Sequence, residues 1–102
     1  MNFEAYVRKL RQKYPSALLI HSGDAFSPSD IGRLEDYNGK QMVYALNKCK
    51  VDLACIGNHE FDPEDEETEE LFKTCEFPWI LGNIMIKGTN KPIGGGLPFL
   101  VK

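Results

Sequence analysis

The chain has 102 residues, 42% hydrophobic and 26% charged, a balance that excludes disordered, fibrous and membrane-spanning classes and allows one globular domain at most. Formal net charge is -3, and the Lys and Arg residues are scattered apart from a mild cluster at Arg8, Lys9, Arg11 and Lys13, so no basic surface for nucleic acid is expected. No run approaches the roughly 20 apolar residues of a membrane span. The three cysteines, Cys49, Cys55 and Cys75, are odd in number and lack CxxC spacing, which speaks against a thiolate zinc site and leans towards a reducing, cytoplasmic compartment.

In chain order, Phe3, Tyr6, Val7, Leu10 and Tyr14 recur at helical spacing before Pro15, which predicts an amphipathic helix over Asn2 to Tyr14 with the basic cluster on its solvated side. Ala17 to Ile20 is a short continuous apolar run, the pattern of a strand covered on both faces in a parallel sheet. Ser22 to Asn38 reads as a long loop with room for one helical turn. From Lys40, the residues Met42, Val43, Ala45, Leu46 and Cys49 share one helical face, with Lys48 and Lys50 at the negative pole of the dipole. Val51 to Ile56 is the second strand, and Cys55 inside it is expected to be buried. Asp62 and Pro63 are an N-cap and first-turn pair for a third helix, whose acidic run Glu64 to Glu70 faces water and which ends near Thr74. Trp79 to Leu81 is the third strand, and a Gly-rich stretch with Gly94, Gly95 and Gly96 forms a turn before Leu97 to Val101. This alternation predicts an α/β fold, a parallel sheet with right-handed helical crossovers, whose strands end along one edge.

Open α/β sheets bind ligands at that edge. HSGDAF follows the first apolar run and GNHEFD the second, so Asp24, Asn58 and His59 are expected at a common rim, with Asp62 one turn after His59. Gly23 and Gly57 suggest tight turns or close backbone approaches. A carboxylate, an amide and one imidazole suit hard or borderline divalent cations better than a thiolate site does. Each residue also has a local explanation, since Asp and Asn dominate turns, Asp62 can cap a helix and His21 reads as a structural histidine bonded to backbone.

Taken together, HSGDAFSPS, then GKQMVYALNKCKVDLACIGNHEFD, FPWILGNI and KPIGGG, from about Leu18 to Gly96, resemble the calcineurin-like metallophosphoesterases, most closely their 5'-nucleotidase and 2',3'-cyclic-nucleotide phosphodiesterase branch. The resemblance implies part of an α/β/β/α sandwich and two divalent metal ions in the full domain, with Mn, Zn, Fe, Mg and Ca not distinguishable from sequence. By the same resemblance Asp24 bridges the metals, Asn58 ligates one of them, His59 contacts the phosphoryl group and Asp62 orients His59. The implied partner is a small phosphate ester, a nucleotide first of all, together with the missing parts of the same domain. The family's N-terminal DxH strand and its later His motifs have no counterpart in residues 1–102, which are therefore expected to be a partial domain, inactive alone. A phosphodiesterase or phosphatase acting on another ester is an alternative, as is a non-catalytic phosphate-binding or interaction module.

Overall fold

The computed structural model describes residues 2–31 and 38–101. Helix α1 spans Phe3–Lys13, opened by Asn2, whose side-chain oxygen accepts the Ala5 N–H at 2.9 Å, and it stops at Tyr14 because Pro15 cannot continue it. Strand β1 is Ile20–His21, helix α2 is Lys40–Lys48, and strand β2 is Leu53–Cys55. A 3-10 turn over His59–Phe61 precedes helix α3, Asp65–Thr74, and strand β3, Trp79–Ile80. Residues 32–37, and with them the middle of the long loop where a helical turn was expected, lie outside the described residues.

The sheet order is β1-β2-β3 and both pairings are parallel, with Ile20 opposite Leu53 and Ala54 opposite Trp79. The predicted α/β class therefore forms, with helices joining parallel strands. Beyond β3 the chain returns beside it: Leu97 donates to the Trp79 carbonyl at 2.8 Å and accepts from the Leu81 N–H at 2.7 Å. The Gly94 to Gly96 run is the expected turn, with Gly94 at φ 58.

Below the rim sits an aromatic cluster. Trp79, 4% exposed, packs edge-on against Phe72 with centroids 4.7 Å apart and against Phe26 at 5.5 Å. Val43, Ala54, Leu71, Phe77 and Leu81 fill the space around it. Burying such aromatics contributes about 2 to 3 kcal/mol each. Phe26 lies two residues after Asp24, so the core itself anchors the loop that carries this carboxylate.

Three expectations change. The strands are not covered on both faces: Ile20 is 52% exposed and Cys55 is exposed, while Cys49 is the buried cysteine. The described residues form a slab with extents 45 × 38 × 18 Å, whose thin dimension fits one sheet and one helical layer, so alternate side chains on β2 meet core and solvent: Ala54 is fully buried and Cys55 is not. Arg11 does not belong to the solvated basic face. Its guanidinium reaches the Asp52 carboxylate at 2.8 Å and also donates to the Lys50 carbonyl, tying α1 to the chain entering β2. Lastly, Asp62 does not cap the third helix. Glu64 occupies that position without a capping side-chain bond, and the Asp62 carboxylate is taken by partners described below.

Candidate active site

The loops that leave the carboxyl ends of β1 and β2 meet. Gly23 takes φ 100, and a Cβ there would stand 2.5 Å from the Gly57 nitrogen, so the two backbones touch at a distance that only glycine permits. A Cβ on Gly57 would collide with the Asp24 carboxylate. Both glycines thus do what their positions in the sequence suggested.

Asp24 itself has φ 62, a left-handed conformation that Asp tolerates better than most residues. Its Oδ1 accepts the His59 N–H at 3.0 Å. This bond brings Asp24 onto the loop that holds Asn58 and His59, as the motif spacing predicted. Asn58, at the end of the same loop, is exposed and its side chain makes no capping hydrogen bond.

His59 Nδ1 lies 2.7 Å from Asp62 Oδ2. The hydrogen bond to Asp62 raises the His59 pKa above its ordinary value, aided by the negative field of Asp62, Asp24 and Glu60, while partial desolvation opposes it. In return, the bond to His59 and then a hydrogen bond from the Ser27 hydroxyl lower the Asp62 pKa. The pair stands as imidazolium and carboxylate over a wider pH range than either group would alone. With Nδ1 fixed on Asp62, the other ring nitrogen is the one free to face a ligand.

His21 is not part of this group. Its ring packs edge-on to Trp79 at 6.5 Å, and its buried Nε2 has no hydrogen-bond partner, unlike the backbone-bonded histidine that was expected.

The residue that motif reading passed over is Glu60. It is 0% exposed, and its carboxylate accepts four backbone N–H groups from both loops: Gly57 at 2.7 Å and Asp24 at 2.8 Å on Oε2, with Ala25 and Phe26, the latter at 3.3 Å, on Oε1. The buried Thr68 of α3 donates to the Glu60 carbonyl at 3.2 Å, which locks the turn to the helix. The signal was present in the sequence as two glycine-led turns whose amides have no ladder partners, with one acidic residue between them and the core.

Asp24 and Asn58 bring a carboxylate and an amide oxygen to one rim, a donor set that fits a hard divalent cation in kind. No group of three or more His, Cys, Asp or Glu side chains gathers around a possible metal position among the described residues.

No family model matches the chain. Curated relatives do: the chain is 32% identical over 83 residues to human 5'-nucleotidase, covering 80% of this chain and 14% of that protein. To the NAD 5'-nucleotidase of Haemophilus influenzae it is 30% identical over 81 residues, 79% of this chain and 13% of the relative. Among solved structures, the NAD nucleotidase of the same bacterium superposes with a TM-score of 0.77 at 28% identity, over 96% of this chain and 20% of that one. A calcineurin-like phosphoesterase from Bacillus subtilis shares the fold, with a TM-score of 0.68 at 23% identity, over 82% of this chain and 28% of the other. The chain spans about a seventh of the length of these curated relatives. Its parallel sheet, its two strand-end loops and these likenesses together identify it as part of a 5'-nucleotidase domain, with the fold of the calcineurin-like phosphoesterase.

Proposed function

We propose that the rim serves metal-dependent hydrolysis of phosphate esters, nucleotide 5'-monophosphates first, in the protein to which this chain contributes. One observation carries the reading: the Asp24 carboxylate accepts the His59 N–H while the His59 ring is held by Asp62. A cation ligand and an oriented imidazole are thus built into the same few residues. A turn formed only for its own sake would not need the second bond.

Asp24 and Asn58 would hold the cation, and when bound it supplies Lewis acidity, lowering the pKa of water and offsetting charge on phosphoryl oxygens. The carboxylate neutralises part of that positive charge, whereas the neutral Asn58 amide binds without neutralising more. His59 has the complementary task. Its raised pKa extends the pH range over which the ring carries a proton, and the protonated ring's exposed nitrogen donates a charged hydrogen bond to a phosphoryl or leaving-group oxygen. Asp62 fixes the ring orientation and Ser27 fixes Asp62. Two protein donors are few for a pair of cations, and we expect turnover to need further ligands beyond those described.

The test is phosphate release from adenosine 5'-monophosphate with added Mn2+, on this chain and on a longer product of the same reading frame. In whichever form is active, His59→Ala is expected to lower kcat about 100-fold or more with bound Mn2+ nearly unchanged, while Asp24→Ala loses the metal. Equal metal loss in both variants would refute the division of roles.

A further inference from the structure

Glu60 takes no part in the chemistry just described, yet more hydrogen bonds converge on it than on any other side chain in the two loops. Among the described residues, no backbone-to-backbone hydrogen bond joins the loop at Asp24–Phe26 to the loop at Gly57–His59. What joins them is side chain to backbone. The Asp24 carboxylate takes the His59 N–H, and the Glu60 carboxylate takes Asp24, Ala25 and Phe26 from one side and Gly57 from the other.

The backbone at Gly23 and Asp24, with φ 100 and φ 62, turns successive amides inward to form a concavity of the kind that binds anions. Here the protein's own carboxylate fills it. A left-handed backbone is unfavourable for Asp, and its N–H bond to Glu60 favours that conformation. Remove the carboxylate, and these amides lose the acceptor that makes Asp24 turn its side chain onto Gly57 and His59.

We propose that Glu60 is the positioning residue of this site: it fixes the separation and orientation of Asp24 and Asn58 by clamping the two loops, without itself meeting substrate. The inference rests on the metal-site reading above. It adds a claim that can be tested without metal, that the left-handed conformation of Asp24 depends on Glu60.

The experiment is NMR on this chain, comparing Glu60→Gln with Val43→Ala. Gln keeps the volume of Glu but turns an NH2 group towards donors. Val43, 1% exposed, is a core residue of α2 outside both loops, and its truncation lowers stability while leaving every Glu60 hydrogen-bond partner in place. Two readouts are taken: the three-bond coupling between the amide proton and Hα of Asp24, which reports φ, and the selective broadening of Asp24 and Asn58 signals by Mn2+, which detects weak binding. Expected in Glu60→Gln are a changed coupling and a midpoint of broadening raised about 10- to 100-fold, as for groups that orient metal ligands. Val43→Ala should show neither change. An unchanged coupling, an unchanged Mn2+ midpoint, or equal effects in Val43→Ala would overturn the proposal. If the unmutated chain shows no selective broadening, the metal reading fails there, and the coupling alone decides the clamp. Should Glu60→Gln not fold, Glu60→Asp, which keeps the charge and draws it back by one methylene, is judged by the same two readouts.

Discussion

The two edges of this small sheet are built in opposite ways. At the carboxyl rim, a few residues of loop are tied by a buried carboxylate, a left-handed Asp and a His–Asp pair, and anchored by Phe26 in the aromatic core. On the side of α1 and β1, large apolar side chains lie open: Phe3 is 67% exposed, Tyr6 51% and Ile20 52%. There Arg11 provides the long-range tie, to Asp52 and the Lys50 carbonyl. Side-chain hydrogen bonds between loops are therefore concentrated at the rim, while the α1 side presents apolar surface that nothing among the described residues covers. An amphipathic pattern offers a face for burial, but only a covering layer buries it.

Glu60→Ala should break this contrast most severely. Truncation leaves buried amides without their acceptor, and such donors cost about 1 to 3 kcal/mol each, so a loss of about 3 kcal/mol is expected in urea unfolding. Arg11→Ala is expected to cost about 1 kcal/mol, since the charged bond to Asp52 is half-screened and Asp52 keeps its bond from the Leu19 N–H at 2.8 Å. Ile20→Thr should change stability by no more than about 0.5 kcal/mol, as for an exposed position. A larger loss would mean that the β1 face is covered in solution by something beyond the described residues, which analytical ultracentrifugation would detect if that cover is a second copy.

The element order and the meeting of Asp24, Asn58 and His59 were legible because they follow from short-range pattern and from parallel topology: strand ends share an edge, and GD and GNHE each follow a strand. Strand extent was less legible. Val51 to Ile56 yields only Leu53–Cys55, since pairing depends on what lies alongside. Cys55 was misjudged for the same reason, because a run of apolar residues does not say how many layers will cover it. Asp62 was misread by a local rule: Asp before Pro is a good cap, but His59 and Ser27 offer its carboxylate stronger partners. Glu60 escaped altogether. The acidic residues of the first turn of α3 do face solvent, as expected, and nothing in the identity of a glutamate separates that use from a buried one; unpaired amides nearby do.

Asp62→Asn sharpens that last distinction with the smallest effect on stability. If Asp62 acted only as a cap for α3, the substitution would leave stability nearly unchanged at every pH, because Asn caps about as well as Asp; α3 in any case begins at Asp65 without using it. The change should instead appear in titration. The His59 pKa is raised in the folded chain, so the pair's contribution is fully present below the unfolded histidine value and is lost as pH rises through the folded one. The Asp62 pKa is lowered, so its contribution is present above the unfolded aspartate value and is lost as pH falls through the folded one. Between those limits both partners are charged. Asp62→Asn should flatten the stability profile across that window and move the His59 midpoint down towards its ordinary value, read from the imidazole proton shifts. A His59 midpoint that stays raised would assign the shift to Asp24 and Glu60, the weaker contributors to the field, and would remove Asp62 as the residue that orients the ring.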